Sequence, residues 1–353
     1  MTFSQKKFIM QSIMKAKKIL ILRLSSFGDI IQTLPCVDAL AAESYDVDFL
    51  TKKAFLAPLK AHPQIRQIYT FETQGSSLWQ ELRKVKDLIR TQEYDCIYDA
   101  HNNLRSTLIL ISTFFLRLRL RLFSGKALTV RRPKSRFKRF LLFKLRIDRF
   151  PLPFVSADSF LNPLIKNKVL TQNPQAQKLP VNDTYNQNIL KASAFTHPRP
   201  YICLAPSAAW PLKRWPLTHF QSLMDSMPDW DFIVIGGAED TFTHELQTPR
   251  LTNTIGQLSW ADTGKAIKEA RALVSADTGV LHWADYMGVP SVGLLGPTAF
   301  GVPFRKSTTI MNLNLSCSPC TKDGRGQCKI KETQKCLKEI YPHNVKQEIL
   351  HLL

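Results

Sequence analysis

Residues 19–30, ILILRLSSFGDI, run from an apolar tetrad into a turn of small residues that carries one acid, Asp29. Four apolar residues followed by Arg23 and Leu24 fit a central parallel strand, and Ser25, Ser26 and Gly28 let the chain turn tightly toward a helix. Runs of the same kind recur at VDFL (47), QIYTF (67) and CIYDA (96), then at YICLA (201), DFIVIGG (231) and SVGLLG (291), with helix-length segments between them. Strands so spaced build parallel sheets from βαβ units. The pattern occurs twice, on either side of the Asn-, Gln- and Pro-rich stretch 170–188. It predicts an α/β chain of two Rossmann-like, doubly wound domains, 1–185 and 186–353. Two such domains face each other across a cleft lined by the carboxyl ends of their strands, and Asp29 then lies on its rim. There it either performs chemistry or caps the following helix.

Composition narrows the function. The 353 residues are 44% hydrophobic, enough for two cores, and carry a formal net charge of +20. The partners expected of such a chain are anionic: phosphorylated ligands, a membrane surface or nucleic acid. The N-terminus has no long apolar core and no small-residue cleavage site, so the chain is expected to stay in the cytoplasm. The longest apolar segment, LILISTFFL at 108–116, is far shorter than the roughly 20 residues that span a bilayer. Seven cysteines without an export signal argue against a disulfide framework.

Three stretches in the second half carry chemistry. In PSAAWPLKRWPLTHF, 206–220, Lys213 and Arg214 stand beside a helix opened by Trp215-Pro216: an anion site, or a solvated basic loop anchored by Trp215. In SADTGVLHWADYMGVPSVGLLGPT, 275–298, the turn Asp277-Thr278-Gly279 precedes a helix, where a hydroxyl and open amides can hold a diphosphate and Gly279 permits close approach. His282 on that helix reads as structural. In DFIVIGGAED, 231–240, Glu239 follows a strand, as acids that accept from ribose hydroxyls do, although glycines followed by acids also describe an exposed turn.

Taken together, RLSSFGDIIQTLP, AHNNLRS, KRWP, IGGAED, IGQLS, DTGVLHWAD and GVPSVGLLGPT resemble, in this order, the bacterial heptosyltransferases of glycosyltransferase family nine. The resemblance runs from about Lys15 to the C-terminus and implies the GT-B architecture. It also implies an inverting transfer of heptose from ADP-heptose to the lipopolysaccharide inner core. On it, Asp29 is the base that deprotonates the acceptor hydroxyl and Lys213 neutralises the diphosphate. Asp277, Thr278 and Gly279 meet sugar and phosphates, and Glu239 meets the ribose. Some members carry neighbouring hydroxyls ahead of the lysine; here Ser207 or backbone amides take that place. Ser26, Arg105, Arg131 and Arg132 are expected on the acceptor side, toward a lipid A–Kdo core. With a nucleotide leaving group and Lys213 on the phosphates, the reaction calls for no cofactor and no divalent cation. A family member with another nucleotide sugar or acceptor, and an inactive basic binding protein, are the alternatives.

Residues 117–149 carry thirteen Lys or Arg against one acid, Asp148. This segment lies where GT-B enzymes bind acceptors, and its stretch FKRFLLFKLRI fits attachment to anionic lipid at the inner face of the inner membrane. A solvated basic face is the competing reading, and no nucleic-acid motif accompanies the charge. Cys317, Cys320, Cys328 and Cys336 lie at C-x2-C-x7-C-x7-C spacing, compatible with a structural Zn²⁺ site, free thiols or a local disulfide. Residues 1–13, ahead of the family-like start at Met14, read as an extension that transfer does not need. Nothing in the sequence demands more than a monomer.

Overall fold

The computed structural model describes residues 16–72, 74–151, 153–298 and 301–353. The expectation for residues 1–13 lies outside the described residues. The opening stretch forms β1 (Lys17–Leu22), whose Ile19–Leu22 are fully buried. A strand apolar on both faces belongs in the middle of a parallel sheet covered on both sides, and β1 takes that place. It pairs in parallel with β2 (Tyr45–Thr51) on one side and β4 (Cys96–Asp99) on the other, with β3 (Ile65–Thr70) and β5 (Leu128–Arg131) outermost. The sheet order is β3-β2-β1-β4-β5.

The second half repeats the plan in six strands. They are β6 (Tyr201–Ala205), β7 (Asp231–Val234), β8 (Leu251–Asn253), β9 (Ala272–Ala276), β10 (Ser291–Leu294) and β11 (Thr308–Met311), in the order β11-β10-β9-β6-β7-β8. This is a doubly wound sheet whose strand order reverses between β6 and β9, as it does between β1 and β4 in the first. Ligands bind at such reversals because the helices leave in opposite directions and open a crevice between the loops. The turns after β1, β4, β6 and β9 are therefore the ones placed to meet a ligand.

One apolar cluster runs through both halves, taking Ile19, Tyr98 and Phe160 from the first with Trp283, Ala284 and Met287 from the second. The helix Asp183–Lys191 joins them. Tyr185 accepts from Trp283 Nε1 at 2.8 Å, Asn188 donates to the Ala61 carbonyl at 2.9 Å, and Asn182 donates to Asp38 at 2.8 Å. A buried set of Asp38, His62 and Tyr286 adds a polar tie, with the Tyr286 hydroxyl 2.9 Å from Asp38 and 3.0 Å from His62.

The halves meet most closely where the turn after β1 touches the helix Gly279–Met287. Phe27 stacks on Trp260 with centroids 4.1 Å apart and meets Trp283 edge-on at 5.3 Å. A Cβ on Gly279 would stand 2.5 Å from Phe27 Cδ1 and 2.8 Å from the Gly28 nitrogen, and one on Gly28 would stand 3.0 Å from Gly279 Cα. Only two glycines let these backbones approach so far. Gly279→Ala is therefore expected to destabilise the protein by about 1–3 kcal/mol through overpacking, read as a lower denaturant midpoint at unchanged slope; wild-type stability would mean that the two turns do not meet.

Candidate active site

The turns after β1, β6, β7 and β9 open onto one cavity of about 990 Å³. Ser26, Phe27, Gly28 and Asp29 line one wall; Ser207, Lys213, Asp277, Thr278 and Gly279 line the other. These residues come from both halves of the chain and meet because both sheets present their carboxyl ends to the same gap.

On the first wall, Arg23 extends from the end of β1 and is only 5% exposed. One guanidinium nitrogen donates to the Ala100 carbonyl at 2.7 Å and another pairs with the Asp29 carboxylate, which also accepts from the Ser26 hydroxyl at 3.1 Å. The N-cap of the helix Phe27–Ile31 is Ser26, not Asp29. The carboxylate thus serves Arg23 and the cavity rather than helix capping. Burial acts most strongly on Asp29 and raises its pKa, but Arg23, Arg132 and the Ser26 hydrogen bonds together outweigh it and hold the carboxyl below its ordinary range. The Arg132 guanidinium lies over Phe160, 3.6 Å from the ring centroid, and donates to Ser159 at 2.6 Å. Burial, with Arg23 repelling it, brings Arg132 down to about 10 against the pull of Asp29. His101, just past β4, is pushed down to about 4 by burial and then by Arg23, so its ring is neutral at pH 7.

On the second wall, Lys213 Nζ stands 3.0 Å from Asp277, whose carboxylate also accepts from the Thr298 hydroxyl at 2.5 Å. Asp277 holds the lysine in place while leaving ammonium protons for a ligand. Thr278 is the N-cap of Gly279–Met287 but makes no side-chain capping bond; its hydroxyl lies 3.2 Å from that of Ser275. The first-turn amides at the cavity wall thus keep the partial positive charge that binds anions. His282, 3.8 Å from Asp277, is lowered by burial despite the pull of Asp277 and Asp285, and so adds no charge at neutral pH. Trp215 is buried and donates to the Ile340 carbonyl at 2.8 Å, anchoring the loop that carries Lys213.

The other expected site residues lie elsewhere. Glu239 is exposed and does not line the cavity; its neighbours Ala238 and Asp240 do, with Asp240 accepting from the Gly237 amide at 2.8 Å. Arg105 is exposed. Arg131 is occupied by Asp99 at 2.9 Å, Asn102 at 2.9 Å and Thr107 at 2.8 Å, a brace across the ends of β4 and β5. Arg132 does not line the cavity and acts on it through the field at Asp29. The sequence reading missed Arg23, His101, Trp260, Lys322 and Arg325. Arg23 and His101 could have been found as polar residues at the carboxyl ends of apolar strands. Lys322 and Arg325 arrive from a loop with no local signal. The four thiols Cys317, Cys320, Cys328 and Cys336 are free and line one small cavity with Leu212, Pro297 and Ile330. Among the described residues no group of three or more His, Cys, Asp or Glu is arranged to hold a metal ion.

A depressed carboxyl pKa contributes stability that is present above the unfolded value and lost as the pH falls through the folded one, so the Asp29–Arg23 pair stabilises the fold fully above about pH 4 and this contribution is lost on the acid side. Carboxyl-carbon NMR should find Asp29 ionised throughout pH 5–8 and titrating below the ordinary aspartate value. Arg23→Met should raise its midpoint by on the order of one unit; an unmoved midpoint would mean that Arg23 does not set the charge state.

The family model described as glycosyltransferase family 9 (heptosyltransferase) matches residues 82–331. Lipopolysaccharide heptosyltransferase 1 of Pseudomonas aeruginosa is 23% identical over 340 residues, with 86% of each chain covered. Among solved structures, E. coli ADP-heptose LPS heptosyltransferase II superposes at a TM-score of 0.66 with 20% identity, over 95% of this chain and 98% of that one. The E. coli heptosyltransferase WaaC with ADP-2-deoxy-2-fluoro heptose does so at 0.66 with 18% identity, over 95% and 100%. The shared architecture is GT-B, two parallel-sheet domains about a cleft. With the family model matched across most of its length, this chain belongs to glycosyltransferase family 9, the heptosyltransferases.

Proposed function

We propose that this chain transfers heptose from ADP-heptose to the lipopolysaccharide inner core by a single displacement, residues 1–185 presenting the acceptor and 186–353 gripping the donor. The observation that carries this reading is one cavity with Asp29 on one wall and Lys213 with the Thr278–Gly279 helix start on the other. In it the diphosphate lies against Lys213 and the first-turn amides, and Ser207 contacts phosphate beside them. The ribose meets the Gly236–Asp240 turn, which lines the cavity through Gly236, Gly237, Ala238 and Asp240. Trp260, Leu258 and Gly256 offer an apolar floor for the adenine.

The acceptor hydroxyl enters beside Asp29, with Ser26 on the same wall and Arg132 behind. Its proton passes to the Asp29 carboxylate as its oxygen attacks the anomeric carbon from the face opposite ADP, and the configuration inverts. Charge growing on the leaving diphosphate is met by Lys213 and the helix amides, which need little reorganisation as it develops. Arg23 keeps Asp29 ionised, at some loss of basicity. That is tolerable because a carboxylate need only accept the proton late, as the new bond forms.

Transfer from ADP-heptose to a truncated lipid A–Kdo acceptor tests the reading. Asp29→Ala should lose about 10²–10⁴-fold in kcat with an unchanged KM for ADP-heptose, whereas Lys213→Ala should raise that KM. Wild-type protein that turns over another nucleotide sugar, or none, would overturn the assignment, and an active Asp29→Ala would remove the base.

We further propose that the enzyme works at the inner face of the inner membrane, docked through the segment 104–147. Eleven of the seventeen exposed large hydrophobics among the described residues fall there. The helix Phe114–Ser124, FFLRLRLRLFS, has no buried residue. Phe115 is 81% and Phe123 83% exposed, and arginines alternate between them. Leu116 and Leu120 pack against the core of the first half, and the Phe and Leu side chains left exposed beside the arginines are explained by a surface that takes both side-chain types, the headgroup layer of an anionic bilayer. No helix among the described residues is long and apolar enough to cross a membrane. Vesicles containing phosphatidylglycerol should co-sediment the protein, and pure phosphatidylcholine should not. F115S/F123S should weaken binding about tenfold or more, in line with roughly 1.5–3 kcal/mol per buried Phe; equal recovery with both lipids would refute the docking.

A further inference from the structure

Beyond β11 the chain returns to the cavity through the loop 317–329, and Lys322, Asp323 and Arg325 line the same cavity as Asp29 and Lys213. The loop is held at its base. The amides of Cys320 and Thr321 donate to the Pro297 carbonyl at 2.9 and 3.2 Å, and the Ser318 hydroxyl donates to the Gly296 carbonyl at 2.7 Å. From the first half, Arg146 donates to the Pro319 carbonyl at 2.6 Å and to that of Cys317, and Lys329 donates to the Phe143 carbonyl at 3.3 Å. A segment bonded at this many points forms a fixed part of the cavity wall.

At its tip the loop touches Lys213 itself. Gly324 has a φ of +92°, and a Cβ there would stand 2.7 Å from Lys213 Cγ, 2.9 Å from its Cδ and 3.1 Å from Trp210 Cβ. Only glycine combines this backbone with so close an approach. The stem of Lys213 is thus fixed from one side by Gly324, while its ammonium is fixed by Asp277, 3.0 Å away. Arg325 sits 4.9 Å over the Trp210 ring, so the tip also rests on the loop that carries Lys213.

The charges around this tip are unevenly paired. Asp323 lies 3.4 Å from Arg325 Nε, and Asp277 takes Lys213. Lys322 is exposed and belongs to neither pair; among the described residues no carboxylate stands within ion-pair distance of it. A departing nucleoside diphosphate gains negative charge as its bond to the sugar breaks. On this wall one ammonium is already shared with Asp277, and the helix start at Gly279 adds only about half a charge. An unshared ammonium beside Lys213 supplies the charge that is missing. The contact of Gly324 with the Lys213 stem puts the tip on the phosphate side of the cavity, which favours the donor over an anionic acceptor as the partner of Lys322.

We propose that the loop tip 322–324 completes the donor diphosphate site: Gly324 positions Lys213, and Lys322 supplies a second ammonium to the phosphates. This rests on the transferase reading above and gives the loop a part in it. Lys322 meets the ligand directly, whereas Gly324 acts through Lys213 alone.

Binding of ADP to the full chain, with adenosine as the control, tests the assignment without any turnover. K322A should weaken ADP binding about three- to tenfold, as loss of one charge-assisted contact from an exposed lysine does. Adenosine binding should stay unchanged, and K322R should restore most of the loss. G324A should also weaken ADP binding, and K213A/G324A should bind ADP no worse than K213A, because a residue that acts only through the lysine adds nothing once the lysine is gone. Thermal midpoints are followed in parallel, and K322A carries the test if G324A does not fold. Undiminished ADP binding by K322A, or an equal loss for ADP and adenosine, would overturn the role of Lys322 and leave the transferase reading standing. A raised acceptor KM in K322A with ADP binding intact would overturn it in favour of an acceptor contact. Wild-type protein that binds no ADP would sink the donor site and this inference with it, whereas ADP binding that K322A weakens, without transfer to any acceptor, would sink the transferase reading alone.

Discussion

Everything at the cavity depends on one close approach, Gly28 against Gly279. The two residues follow strands of different sheets, and the absence of a Cβ on each lets the turn with the acid rest on the start of the helix Gly279–Met287. Aromatic packing holds the contact laterally, with Phe27 between Trp260 and Trp283. A wider gap would leave Asp29 and Lys213 in separate solvent-filled grooves, and in high dielectric neither would act strongly on a shared ligand.

Closing the gap concentrates charge, and the protein manages it by uneven pairing. Asp29 is paired with Arg23 and further influenced by Arg132, so it stays ionised at neutral pH. Lys213 is paired with Asp277, so it is positioned but only partly neutralised. His101 and His282, both desolvated next to cations or beside acids they do not fully use, are lowered and carry no charge at pH 7. The cavity thus sets Asp29, Asp240, Asp277 and Asp323 against Lys213, Lys322 and Arg325, with Arg23 and Arg132 acting on Asp29 from behind its wall.

The same imbalance continues outside the cavity. In the segment 104–147, cationic side chains alternate with exposed Phe and Leu, while the cationic residues nearest the cavity are braced, Arg131 by Asp99 and Arg132 by Phe160. The inner members are held by partners within the fold, and the outer Phe and Leu side chains stand exposed. The loop 317–329 links these two regions mechanically through Arg146 and Lys329.

Local signals were enough for the architecture. A fully buried ILIL run, its repetition and the helix-length spacing specify two parallel sheets, because burial on both faces and βαβ crossovers leave few other solutions. The short or polar strands β5, β8, β9 and β11 were not legible: LTVR sits inside a run of cations, LTN has three residues, ALVSA merges with the turn that follows it, and TTIM is four residues long without alternation. Asp29 and Lys213 could be read because their turns follow the legible strands ILIL and YICLA, and Asp277–Gly279 because a helix follows it; the cavity unites them. Pairings across long sequence separations could not. That Arg131 is committed to Asp99, that Glu239 stays out of the cavity lining, and that Lys322 returns to the cleft are decided by tertiary packing. Residue order alone specified which turns would stand at the rim of a sheet; the folded chain was needed to decide which charges would find partners there, since an ion pair is set by distance in space and not by distance along the chain.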